Sequence, residues 1–216
     1  FFSCGVDSCY SLFQNTQSHA NDSRAITDLI VVKGFDIFFS RRSALFTRAL
    51  SNAARVGQET GKRILPIAAN LREFGDKFVD WGRLYHGAAM ASIALTLERY
   101  FRTIYIASSH ARAEVFPWGS HPDLDPLWST DEVLLIHDGC EATRMEKVRF
   151  ISRFPAVLQT LRVCTTHSYS NSVYNCGLCG KCLRTMIMLQ LASAIHGCQT
   201  FPRSLDVGLL RSIYSV

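Results

Sequence analysis

No apolar run in the 216 residues is long enough for a bilayer-spanning helix. No low-complexity tract, internal repeat or domain linker is present, so the chain is expected to fold as one domain of ordinary to large size. No secretory-signal pattern is read. No block of Lys and Arg marks a nucleic-acid stripe, and 23 basic against 18 acidic residues leave only a mild +5. That excess suits a polyanion such as a nucleotide without requiring one. Charged residues are scarce at 19% while hydrophobic ones reach 48%, a balance that argues against disorder and provides a core. Proline is also scarce, and three of the six lie in one aperiodic stretch, "EVFPWGSHPDLDPLWST" (114–130), which reads as a functional or mobile loop.

What is present alternates. "DLIVVKGFDIF" (28–38) reads as a buried strand. "SRRSALFTRALSNAARVGQETGK" (40–62) reads as a helix capped by Ser40 or Ser43 and ended by Gly61. "RILPIAANL" (63–71) reads as a strand that Pro66 confines to an edge or a bulge. "YHGAAMASIALTLERYF" (85–101) suits a buried helix, and "TIYIASSH" (103–110) and "EVLLIHDG" (132–139) suit strands. "TRMEKVRFISRF" (143–154) and "CLRTMIMLQLASAI" (182–195) read as helices. Strands spaced too far apart for hairpins predict an α/β fold, with a parallel twisted sheet flanked by helices on both faces, Rossmann-like. Two parts of this one domain are expected: residues 1–155 as the main body, and 156–216 as a metal-bearing segment packed on it. The first residue is not Met, and Phe1-Phe2 already reads as strand interior, so a longer first strand is expected.

Two short stretches carry chemistry. In "FFSCGVDSCYSL" a strand turns into a helix through Ser3, Cys4, Gly5, Val6, Asp7 and Ser8. Such a turn puts free helix N–H groups at the carboxyl edge of a sheet, where anions bind. Gly5 permits close backbone approach, and the Ser3 and Ser8 hydroxyls can reach phosphate oxygens. Asp7 repels phosphate unless a divalent cation lies between them. The plainer alternative is that Ser and Asp are helix caps.

The second stretch is "VCTTHSYSNSVYNCGLCGKCLRT" (163–185). Cys176, Cys179 and Cys182 form C-x2-C-x2-C, with Cys164 twelve residues upstream, a set that suits a closed tetrahedral zinc site. Alternatives are an iron–sulfur cluster, metal-free buried thiols, or His167 in place of Cys164 as the fourth ligand. Gly177 and Gly180 allow the tight turns, and Lys181 and Arg184 partly offset the thiolate charge. Cysteines so crowded are poor disulfide formers, which points to a reducing, cytoplasmic compartment.

"SCGVDS" resembles the Ser-Gly-Gly-x-Asp-Ser loop of the PP-loop ATP pyrophosphatases (adenine nucleotide alpha-hydrolase-like), with Ser3, Gly5, Asp7 and Ser8 matching and Cys4 standing where the family has Gly. The closing cysteines are similar to those of one PP-loop family, the 7-cyano-7-deazaguanine synthases. The resemblance covers most of the chain, but its specific motifs lie at the two ends. It implies that ATP, with Mg²⁺, binds at residues 3–8 and adenylates a carboxylate or amide oxygen of a small-molecule substrate, releasing pyrophosphate. Ammonia or another nucleophile then displaces AMP. It implies a structural Zn²⁺ at the four cysteines and makes Lys147 the counterpart of a family lysine. The family's Tyr-Pro-Asp-Cys stretch is missing, with "GSHPDLDPLW" (119–128) roughly in its place, and Arg184 follows the last Cys by two residues rather than three.

Other residues have two readings. Arg144 and Lys147 share a helix face and form either a triphosphate clamp or a solvated basic face. His110 and His121 are candidate substrate or acid–base groups. Asp123 and Asp125 could bind Mg²⁺ or an amine, or be plain loop. Trp81, Trp118 and Trp128 read as core or loop anchors rather than a stacking platform, and Arg41 and Arg42 as candidate nucleotide contacts. Two other functions stay open: a zinc-knuckle module for RNA or tRNA, and an ATP-binding sensor without turnover. A homodimer is also allowed.

Overall fold

The structure, a computed structural model, describes residues 1–20, 22–40, 44–165, 173–202, 204–205 and 208. Arg41, Arg42, Ser43 and His167 lie outside the described residues. The elements run α1 (Val6–Ser18), β1 (Asp28–Lys33), α2 (Ala44–Thr60), β2 (Arg63–Ala68), α3 (Leu71–Gly75), α4 (His86–Thr96), β3 (Thr103–Ala107), β4 (Leu134–Asp138), α5 (Arg144–Ile151), α6 (Pro155–Thr160) and α7 (Gly180–Leu191). One wide π turn, Trp81–Tyr85, leads into α4. Asp80 caps this turn by accepting the Arg83 N–H at 2.6 Å. Gly61 takes a φ of +68° just after α2, as the sequence predicts for a helix stop. Ser40 does not cap α2. Its N–H and its hydroxyl both donate to Glu73, each at 2.9 Å.

The fold is mixed α/β, but the pairing differs from the single sheet predicted. β1 pairs in parallel with β2, Val31 opposite Pro66, and β3 pairs in parallel with β4, Tyr105 opposite Ile136. The described residues therefore form two two-stranded sheets. Among the described residues, Phe1 and Phe2 bridge the two sheets. The Phe2 N–H donates to the Ile30 carbonyl and the Phe1 nitrogen to the Tyr105 carbonyl, both at 2.8 Å. Pro66 sits on β2, which has no further strand beyond it among the described residues.

The period-2 alternation of β1 sends its side chains into two cores. Leu29 and Val31 join a core with Leu12 of α1, Val56 of α2, Ile151 of α5, Val157 of α6 and Leu189 of α7. Ile30 points the other way, into a core with Ala91 and Ala94 of α4, Ile104 and Ile106 of β3, and Leu135 of β4. The first core draws on both ends of the chain, so the cysteine-bearing segment and the opening loop share one packing unit. The long 108–133 connection holds only two short 3₁₀ turns, Arg112–Glu114 and Asp125–Trp128. It is pinned to α4 at Gly87, whose N–H donates to the Gly119 carbonyl at 2.8 Å. A Cβ at Gly87 would stand 2.1 Å from that oxygen, so only glycine lets the loop lie this close. Among the described residues no helix is long and apolar enough to cross a membrane.

Candidate functional site

The opening turn closes on itself. Ser8 Oγ accepts the Ser3 N–H and donates to the Gly5 carbonyl, both at 3.2 Å, while Ser3 Oγ accepts the Gly5 N–H at 3.3 Å. The two hydroxyls stand 3.3 Å apart. Gly5 occupies the N-cap of α1, and no side chain caps it. The reading of Ser and Asp as plain caps is therefore not what the turn does. The first N–H groups of α1 remain available to an anion.

Cys4 has a φ of +58°, the left-handed region that favours glycine. The resemblance puts Gly at this position, and Cys4 keeps the backbone shape a glycine would have. Its carbonyl accepts the Arg162 N–H at 2.9 Å, and its thiol packs into the first core. Burial pushes that thiol up to about 12, so it stays protonated at neutral pH. The two opposing terms, relief of strain and loss of a small buried side chain, predict that Cys4→Gly changes stability by less than about 1 kcal/mol. A β-branched Cys4→Val should cost roughly 2 kcal/mol more. Urea unfolding of the three proteins checks this, and equal losses for Gly and Val would refute the assignment.

Thr143 and Glu146 form a reciprocal capping box that fixes the start of α5. Arg144 and Lys147 follow on one face and meet Asp7. Arg144 donates to Asp7 Oδ2 at 2.9 Å and to the Ser109 carbonyl at 3.2 Å. Lys147 donates to the Ser108 carbonyl at 2.7 Å and its Nζ stands 3.5 Å from Asp7 Oδ1. With 1% of Lys147 exposed, the solvated-face reading fails for it. Burial lowers its pKa, opposed by the Asp7 charge. Asp7, which the sequence reading balanced with a divalent cation, here has two protein cations beside it. Its Oδ1 is buried with no hydrogen-bond partner.

Asp7 and Arg144 open on a cavity of about 1000 Å³, large enough for a nucleotide and a second molecule, while Lys147 stays buried behind Asp7 and is not among the lining residues. Ser3, Gly5, Asp7, Ser8 and Arg144 line one side of it. The other side is aromatic: ring centroids run Trp81 to His86 at 6.2 Å, His86 to Trp118 at 5.8 Å, Trp118 to Phe116 at 5.5 Å, and Phe116 to His110 at 4.8 Å. Arg72 lies over the Trp81 ring at 5.1 Å. The sequence reading took Trp81 and Trp118 for core or loop anchors, yet both line the cavity. A signal was present in the repeated Trp-Gly pair at 81–82 and 118–119. A Cβ on Gly82 would meet Trp118 at 2.7 Å, and one on Gly119 would meet His86 at 2.8 Å, so each glycine lets a ring approach. Trp128 is half-exposed and not among the lining residues.

The remaining candidates separate. His110 lines the cavity, and burial and then Arg144 lower its pKa, so it is neutral at neutral pH. His121, Asp123 and Asp125 are not among the lining residues. Asp123 is largely exposed, its N–H donating to His121 Nδ1 at 3.1 Å. Asp125 is fully buried, accepting from the Ser120 hydroxyl at 2.6 Å and lying 2.7 Å from His137 Nδ1. Asp125 thus ties the loop to β4. His137, hidden in a strand-like "LLIHD", gave no sequence signal for this role.

The four cysteines converge, with their sulfurs all within 4.8 Å of one another. Cys164 Sγ lies 4.0 Å from Cys179 Sγ, and Cys176 Sγ 3.8 Å from Cys182 Sγ. A tetrahedron of thiolates with bonds of about 2.3 Å has edges of about 3.8 Å, so the set fits a metal ion such as zinc. The Leu178 and Cys179 N–H groups point at Cys176 Sγ at 3.4 and 3.3 Å. Gly177, at a φ of +69°, makes that knuckle turn. Asn175, unremarked in sequence, clamps the upstream ligand. Its Oδ1 accepts the Val163 and Cys164 N–H groups at 2.9 and 3.2 Å, and its amide donates to the Leu161 carbonyl at 2.9 Å.

No family model matches the chain, and no curated protein or solved structure matches it.

Proposed function

We propose that the chain is an ATP-dependent enzyme of the PP-loop type that adenylates an oxygen of a small-molecule substrate and releases pyrophosphate. One observation carries this reading: the uncapped start of α1, the Ser3 and Ser8 hydroxyls and the Arg144 cation meet at a nucleotide-sized cavity, with the Lys147 ammonium buried behind Asp7. Support also comes from Phe1 and Phe2, hydrogen-bonded to β1 on one side and β3 on the other. On this reading they are the end of a central strand in a continuous parallel sheet, ordered β2, β1, residues 1–2, β3, β4, with helices on both faces. The loop then stands at the carboxyl end of that strand, where α/β folds bind ligands.

The chemistry follows from the groups present. ATP arrives with Mg²⁺, and its outer phosphates meet the α1 N–H groups and the two hydroxyls. The substrate oxygen attacks the α-phosphorus, the bond to the β-phosphate oxygen breaks, and Lys147 and Arg144 offset the charge that moves onto pyrophosphate. Ammonia or another nucleophile then attacks the activated carbon and AMP leaves. Neutral His110 takes the proton that the nucleophile sheds. The four cysteines hold Zn²⁺ as a structural ion. Eight free cysteines fit a reducing compartment such as the cytoplasm.

The test is product identity and binding. Protein supplied with Mg²⁺-ATP and its substrate should yield AMP and pyrophosphate, and pyrophosphate alone should bind. Ser8→Ala should weaken that binding roughly tenfold, the effect of one hydrogen bond to a charged group. Formation of ADP and phosphate with the substrate would overturn the reading.

A further inference from the structure

The segment after α6 and the start of α7 bring three cations to the same cavity: Arg162, Lys181 and Arg184. Arg162 is the unusual one. It is 7% exposed, its Nε is buried without a hydrogen-bond partner, and its Nη1 stands 3.9 Å from Asp36, too far for a hydrogen bond. A buried guanidinium left without that bond is costly, and it resolves when an oxyanion arrives. The backbone at Arg162 is fixed beside the opening loop, since its main-chain N–H donates to the Cys4 carbonyl at 2.9 Å. Lys181 and Arg184 stand three apart near the start of α7, hence on one face. Among the described residues neither has a carboxylate within ion-pair distance. The sequence reading assigned these two charges to offsetting the thiolates, but both also face the cavity.

We propose that Arg162, Lys181 and Arg184 form a second anion subsite, separate from the Ser3–Ser8 loop, for a phosphate or carboxylate group of the molecule that the enzyme activates. Assigning the occupant to that molecule rests on the adenylation reading; the subsite itself does not. The exposed Asp36 carboxylate is the near competitor, and a ligand oxyanion displaces it from Arg162. The cysteine cluster has a part in this. Cys179 and Cys182 bracket Lys181, and Cys164 lies two residues beyond Arg162, so a bound metal fixes where all three charges stand.

Equilibrium dialysis of the metal-loaded protein tests it, with pyrophosphate saturating the loop and labelled inorganic phosphate or acetate as the probe. One further anion should bind per chain, and the tighter of the two probes identifies the group. Arg162→Met should weaken that binding at least tenfold while pyrophosphate binding stays as it was. The double variant Lys181→Ala/Arg184→Ala changes only exposed residues and should do the same, which keeps the test open if Arg162→Met does not fold. Failure of both probes to bind beside pyrophosphate, or wild-type binding in the folded variants, overturns the subsite. Failure of pyrophosphate itself to bind counts against the adenylation reading alone.

Discussion

Cys182→Ser is expected to cost about 4 kcal/mol of stability or more, lowering the melting temperature by roughly 8–16 °C in a chain of this size. The size follows from what the four sulfurs connect. Cys164 belongs to the segment following α6, while Cys176, Cys179 and Cys182 lead into α7. α7 in turn buries Leu183, Met186 and Leu189, the last in the core shared with α1 and β1. Freeing that helix exposes apolar surface on the main body, so the loss extends beyond the metal centre. The hydrogen bond from Cys164, and then burial, raise the Cys182 thiol well above its ordinary range, so metal uptake must expel protons. Metal affinity should accordingly fall as pH falls. Metal content and thermal melts check both statements. A Ser variant that keeps one metal per chain and melts within about 2 °C of the wild type would remove Cys182 from the ligand set.

Much of this site was legible because its signals are local. The Ser3–Ser8 turn and the C-x2-C-x2-C run are set by neighbours in sequence, and the structure draws each together where the spacing predicts. The strands and helices were legible for the same reason, their periodicity being a property of ten or so residues. What escaped depends on partners far apart in the chain. Phe1 reaches Tyr105 and Phe2 reaches Ile30, so the relation between the two sheets rests on contacts that no local pattern encodes. Asp125 read as a Mg²⁺ or amine ligand, or as plain loop beside proline, and only His137 and Ser120 explain its burial. The aromatic wall is assembled from residues 81–86, 110 and 116–118, and the buried guanidinium of Arg162 looked like any other basic residue. Asn175 has no sequence motif at all, since its role is to join residues 161–164 to the cysteine turn.

Lys147→Met should lower the rate of pyrophosphate release by about 10²–10³-fold, the usual loss when one preorganised donor to developing charge is removed. Its ammonium is held by the Ser108 carbonyl and stands beside Asp7 at the start of α1, so its position does not have to reorganise as charge develops. Arg144 lies three residues earlier and is a third exposed, and it cannot stand in for a point charge buried behind Asp7. Stability gives a second readout that does not depend on the reaction. Burial places the folded-state pKa of Lys147 below the unfolded value of 10.5. Between those two values the unfolded chain holds the extra proton, so this residue's contribution to stability rises as pH climbs through the window. The penalty is full below the folded pKa and gone above the unfolded one. Met carries no such proton, so the stability difference between wild type and Lys147→Met should shift in favour of the wild type as pH rises toward 10.5. Taking that difference cancels the other groups that titrate there, Tyr10 and Tyr174 among them. A difference that stays flat with pH would mean Lys147 is not buried as an ammonium, and the charge assigned to it at the phosphate wall would have to come from Arg144 alone.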